Sequence, residues 1–188
     1  MGTGVAVKLM DDHLDGEDDG RAGIVTWAQQ LGPGALPYAL SSFAVASLLR
    51  VDAAVALFLG AYATGMGHDL GATMPTGLTG RFESIIAFAI AAFGTGLPLA
   101  VGAFALMAFI QCIDDIADLS VDRKAGARNV VIAWGAVETR FVAAGALFIA
   151  VGSAPQLAVA VFGGLAVIEG IFAYLAESPH GCRRGGPS

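Results

Sequence analysis

Two acidic stretches carry the residue types most able to do chemistry, and they share one pattern. Asp11–Gly23 reads DDHLDGEDDGRAG and Asp114–Gly126 reads DDIADLSVDRKAG. Both are D-D-x-x-D-x-x-x-D-x-[R/K]-A-G without a gap. Asp12, Asp15 and Asp19 thus correspond to Asp115, Asp118 and Asp122, and Arg21 to Lys124. A lone DDxxD is commonly a solvated helix end. Two gapless copies beside apolar sequence, in a chain poor in charge, point to a shared task.

On a helix, spacings of three and seven put each aspartate trio on one face, roughly 60° wide. Like charges so placed weaken the helix by a few tenths of a kcal/mol per pair, on the order of a lost ion pair. They call for a cation or for water. Carboxylate oxygens are hard ligands suited to Mg²⁺, which joins one or two carboxylates to phosphate oxygens. The expected metal ligands are Asp12, Asp15, Asp19, Asp115, Asp118 and Asp122, with Asp12 and Asp115 as the residues most directly engaged in catalysis. Arg21, Arg123 and Lys124 are placed to bind diphosphate oxygens by charge-assisted hydrogen bonds.

The elements that must position these stretches are apolar. Mean hydropathy is +0.71 and only 14% of the 188 residues are charged, against about 25% in a soluble domain. The composition predicts an all-α, integral membrane helical bundle in which residues 1–176 form one domain. The polar segment 177–188 reads as a disordered cytoplasmic tail. The net charge of −6 comes largely from the two acidic stretches, and nucleic acid is not an expected partner. Cys112 and Cys182 have no metal-binding spacing and read as free thiols. Met1–Met10 lacks the apolar core of a secretory signal.

Pro33–Leu49, Ala53–Met66, Val137–Gly152 and Ala154–Ala176 read as spans, with Gly67–Gly80 as a Gly- and Pro-rich loop. Ser84–Ile113 is uncharged but interrupted at Gly94–Pro98. If it spans twice, both acidic stretches share one side, and nine of the ten Lys and Arg residues lie there with Arg50 opposite. If it spans once, they divide three against seven. The positive-inside rule selects the first arrangement: about six transmembrane helices, with the acidic motifs facing the cytoplasm from the cell membrane. Glu169 is a further intramembrane carboxylate, His68 and Asp69 stand in the loop, and Gln111 lies one turn before the second motif.

On these motifs the chain resembles the UbiA superfamily of intramembrane prenyltransferases. The family's NDxxDxxxD stands here as Asp11–Asp19, with Asp11 in place of Asn. Its DxxDxxxD stands as Asp115, Asp118 and Asp122. The resemblance implies a bundle of two related halves with a pocket open to the cytoplasm and to the membrane lipid. The implied activity is Mg²⁺-dependent transfer of a prenyl group from an isoprenoid diphosphate to an acceptor that the sequence does not identify. The family has a further helix before its first motif and usually about nine spans. The expectation is then that the start is truncated, that a homo-oligomer or partner subunit completes the pocket, or that the reaction has been lost. The alternative is a non-catalytic UbiA-like membrane protein that binds isoprenoid lipid or diphosphate, or that partners a fuller enzyme.

Overall fold

Helices account for every named element in the computed structural model, which describes residues 2–14, 26–65, 70–126 and 129–177, the side chains of 14, 121, 124, 125 and 168–177 apart. In chain order they are α1 (Gly2–Leu14), α2 (Trp27–Leu31), α3 (Ala35–Gly65), α4 (Gly80–Thr95), α5 (Leu97–Ala117), α6 (Leu119–Ala125), α7 (Val130–Trp134), α8 (Ala136–Ser153) and α9 (Pro155–Glu177). A 3₁₀ turn, Gly32–Gly34, joins α2 to α3.

Three local breaks turn long apolar runs into hairpins. The first is at Arg50, whose backbone (φ −153°, ψ 83°) leaves the helical region inside α3. Phe43 and Phe58 would stand about 22 Å apart along a continuous helix, yet their ring centroids are 5.0 Å apart. The chain therefore folds back there. Arg50 closes the corner by donating from Nε and Nη2 to the two carboxylate oxygens of Asp52, at 2.9 and 2.8 Å.

The second break is at Gly96, at φ +91°, a conformation that disfavours any side chain. Phe88 and Phe104, equally far from it on either side, meet edge to face at 5.2 Å. Pro98 sits in the first turn of α5, where its missing N–H costs nothing. The run 84–113 thus makes two helices, as the distribution of basic residues implied. The third break is at Ala154 (φ −146°, ψ 67°), followed by Pro155.

The corners at Arg50, Gly96 and Ala154 share one end of the bundle. Gly2 of α1 lies against Ser42 and Ala46, late in the outgoing limb of α3, and Gly102 of α5 lies against Ala154. The C-terminal ends of α1 and α5, which carry the acidic stretches, consequently share the other end with the loop 70–79. There Ser84 Oγ of α4 donates to the carbonyl of Ala63, tying α4 to the returning limb of α3.

Packing is inverted relative to a water-soluble bundle. The buried core is built mainly of alanine (Ala54, Ala56, Ala87, Ala91, Ala100, Ala103, Ala143, Ala150) around Leu106. Large side chains point outward: Phe93 is 93% exposed, Leu48 86% and Phe148 81%. Small residues inside let backbones approach, and apolar residues outside suit lipid. Trp27–Gly65, Leu97–Ala117 and Ala136–Ser153 are helical stretches long and apolar enough to cross a membrane. The first meets that length only end to end: it is folded in two at Arg50, and its limbs are about 24 and 22 Å long, against a hydrocarbon core of about 30 Å.

The duplication in the sequence extends through the fold. The short helices run Trp27–Leu31 and Val130–Trp134. Gly32 and Gly135, both at positive φ, end those short helices. Both correspondences have the 103-residue offset of the acidic motifs, and both short helices lead into a hairpin.

Candidate functional site

Each motif is anchored by its second aspartate. Asp12 and Asp115 are only 5% and 6% exposed, although the residue before each is exposed. A buried carboxylate must be partnered, and the two halves do this differently. Lys8, one turn earlier in α1, places its ammonium 2.9 Å from Asp12 Oδ1. At the corresponding position in α5, Gln111 donates through Nε2 to Asp115 Oδ1 at 3.0 Å. The other oxygen of Asp115 accepts the backbone N–H of Val130 at 2.8 Å. That carboxylate therefore caps the start of α7 and binds it to the end of α5.

Asn129 completes this junction from a buried position. Its Oδ1 accepts the N–H of Val131 at 2.8 Å, as an N-cap does. Its two amide hydrogens serve two acceptors, the backbone carbonyl of Asp115 at 2.7 Å and Asp122 Oδ2 at 2.6 Å. Every polar group of the side chain is thus used, and the amide has only one workable orientation. In the first half the corresponding residue is Thr26, whose hydroxyl accepts the N–H of Gln29 and caps α2.

The second aspartate stripe does not lie on one unbroken helix. α5 stops at Ala117, and Asp118 (φ −90°, ψ 1°) bends the chain before α6 begins at Leu119. Sequence spacing missed this because Asp115, Asn129 and Val130 draw the chain into a tertiary junction that overrides the local helix. Asp115 is buried, Asp118 is exposed, and Asp122 is half-buried against Asn129. Arg123 is exposed and, with Ile116, Ala117, Leu119 and Ser120, lines a shallow open hollow beside the motif. Asp15, Asp19 and Arg21 of the first motif lie outside the described residues, as do the side chain of Lys124, the side chain of Glu169, and His68 and Asp69. Gln111 bonds within its own helix.

The two motif ends come within electrostatic reach of each other. Asp114 senses the charges of Lys8, Asp11, Asp115 and Asp118, and Lys8 in turn senses Asp11 and Asp114. Burial works against the Lys8 ammonium, but its hydrogen bond to Asp12 and the charges of Asp12, Asp11 and Asp114 outweigh it. Lys8 is thereby held above the ordinary lysine value of 10.5. Equivalent residues of the two halves, Asp11 and Asp114, thus feel each other's charge, and Lys8 feels both.

A second polar knot fastens the loop at this end. Glu83, buried in the first turn of α4, accepts hydrogen bonds from the hydroxyls of Thr76 and Tyr62. They join the loop, α4 and the returning limb of α3. Glu83 was not among the residues singled out by spacing, since a single acidic residue at a helix start reads as a favourable dipole contact.

The donor set fits Mg²⁺ in kind: Asp11, Asp114 and Asp118 offer exposed carboxylates beside the buried Asp12 and Asp115. Among the described residues, no three acidic, His or Cys side chains converge on one point. No protein-family model, curated protein or solved structure matches the chain.

Proposed function

We propose that this chain is a UbiA-like integral membrane bundle, crossing the cell membrane about six times, that binds an isoprenoid diphosphate with Mg²⁺ between its acidic motifs. The reaction it supports is transfer of the prenyl group to an acceptor within the membrane. The observation that carries this reading is that Asp12 and Asp115, equivalent residues of two duplicated motifs, are both buried toward the same end of the bundle. A concentration of carboxylates from two helices is costly unless a cation joins them.

Asp12, Asp15, Asp19, Asp115, Asp118 and Asp122 would hold the metal, which, when bound, offsets the charge that develops on a departing diphosphate. Lys8 and the exposed Arg123 supply fixed positive charge for diphosphate oxygens, with Arg21 and Lys124 completing the basic set. The outward-facing apolar side chains leave a prenyl tail in lipid contact. Lys8, Arg81, Arg123 and Arg140 stand toward the motif end, opposite Arg50. By the positive-inside rule, that end faces the cytoplasm.

One observation favours a second reading. Both carboxylate oxygens of Asp115 accept hydrogen bonds from within the chain, which suits a binding protein whose motif is chiefly structural.

Mg²⁺ and farnesyl or geranylgeranyl diphosphate should each tighten binding of the other in the detergent-purified chain. Asp118→Asn, at an exposed position, should remove most of that coupling, and Asp18→Asn, off the stripe, should matter less. Coupled binding with no release of diphosphate would select the binding protein over the enzyme. Absence of Mg²⁺-dependent binding would defeat both.

A further inference from the structure

Charged residues mark both ends of the face that α3 and α4 present, and they lie close together. Arg81 stands exposed at the start of α4, at the motif end. Arg50 and Asp52 stand at the opposite corner, bonded to each other and flanked by the exposed Leu48, Leu49 and Val51. The only other charged side chain of these two helices is Glu83, which is buried. The limbs of α3 are about 24 and 22 Å long and α4 about 24 Å, against a hydrocarbon core of about 30 Å. The longer helices lie elsewhere. α5, about 31 Å long, is central, with Ala100, Ala103 and Leu106 buried, and α8 and α9 are about 27 and 34 Å. Stretching side chains does not close the gap at the corner, because Asp52 holds Nε and Nη2 of Arg50.

We propose that the α3–α4 face is a surface for a thinned bilayer, and that its partner is phospholipid with short acyl chains. This rests on the membrane-bundle part of the proposed function and needs neither metal nor diphosphate. A hydrocarbon layer about 6 Å deeper than the face would draw the Arg50–Asp52 pair or Arg81 into acyl chains. Thinning the layer locally costs less than burying those charges. The headgroups of the far leaflet then meet the Arg50–Asp52 corner, and those of the near leaflet meet Arg81. The occupant is lipid rather than a second copy of the chain. Close helix contacts within membranes use small residues, and on α4 these point inward, at Ala87 and Ala91, while Ile85, Ile90 and Phe93 point out.

The test reads which lipids gather at each face. The full chain is reconstituted in dioleoylphosphatidylcholine mixed with a brominated phosphatidylcholine, either dimyristoleoyl (shorter) or dierucoyl (longer), and quenching of a single tryptophan is measured. Ile90→Trp reports the α4 face and Phe148→Trp the α8 face, each with Trp27→Phe and Trp134→Phe; both positions are exposed. Ile86→Trp repeats the α4 reading should Ile90→Trp fail to fold. At Ile90 the shorter lipid should be favoured over dioleoyl lipid roughly two- to fivefold, and at Phe148 the ratio should stay near unity. Arg81→Leu, which lengthens the apolar face, should bring the Ile90 ratio toward unity, and Arg81→Lys should keep it. Equal selection at Ile90, or selection of the dierucoyl lipid, overturns this inference alone. Quenching at Phe148 with none at Ile90 or Ile86 would mean that a second copy covers the face, and also overturns it. A chain that is extracted from cells without detergent overturns the proposed function along with it.

Discussion

Replacing Asn129 tests the junction that holds the second motif. Asn129→Ala removes the cap on α7, a loss of about 1 kcal/mol. It also removes the donor to Asp122 Oδ2 at 2.6 Å, a bond to a charged group worth about 1.5–3 kcal/mol. The carbonyl of Asp115, which accepts the same amide at 2.7 Å, loses a partner in a buried setting. These contributions overlap, so the expected cost is about 3–5 kcal/mol in all. Asn129→Thr, the residue type found at the equivalent Thr26, keeps the cap and should cost less, about 2–3 kcal/mol. Asn129→Asp also keeps the cap but faces two acceptors with a third, and should be the most damaging of the three. The assay is reversible denaturant unfolding in micelles, followed by the near-ultraviolet signal of Trp134. The ranking Thr, Ala, Asp in increasing damage is the expected result. An Asn129→Asp variant as stable as Asn129→Thr would refute the hydrogen-bond assignment on which the junction rests.

Gly102→Ala should destabilise by about 1–3 kcal/mol in the same assay, because its Cβ would meet that of Ala154 at 2.5 Å. Gly94→Ala, with nothing within 4 Å of its added Cβ, should be neutral or mildly stabilising. The raised folded-state value of Lys8 gives a stability contribution that is fully present below the ordinary 10.5 and lost as pH rises through the folded value. Alkaline unfolding curves of wild type and Lys8→Gln should therefore diverge below about that pH and converge above it. For the membrane arrangement, Cys introduced at Arg50 and at Ser120 in a Cys-free background should be labelled from opposite sides of a sealed vesicle. Labelling of both from one side would remove the hairpin crossing.

How far the sequence was legible depended on how local the cause was. The hairpin at Gly96 could be read because Gly–Leu–Pro is a local break and because the basic residues divided sensibly only if the chain turned there. The corner at Arg50 was marked by its charge beside Asp52. The duplicated motifs were visible as a pattern, but not their unequal shape. Asp118 leaves the helix because a junction to Asn129 and Val130, 14 and 15 residues beyond Asp115, captures the preceding turn. Helical periodicity carries no term for such a contact. Asn129 and Thr26 had a signal that spacing analysis of acidic residues passed over. Both are N-cap types, both are followed by a five-residue helix and a glycine, and they lie at the offset of the motifs. Lys8 and Gln111 shared that offset too, so extending the alignment to either side of the acidic core would have found all four. Glu83 had no pattern to find, since its partners Tyr62 and Thr76 arrive from two other elements.

The central claim is that metal and diphosphate meet at the paired motifs, and the most direct measurement is ³¹P relaxation of a bound, non-hydrolysable farnesyl diphosphate analogue in the presence of Mn²⁺. The bilayer-reconstituted wild-type chain should broaden both phosphorus resonances strongly, Asp118→Asn should lose most of that effect, and Asp18→Asn should retain it. Phosphorus lines left unbroadened by Mn²⁺ with the analogue demonstrably bound would place the diphosphate away from the motifs and contradict the shared site.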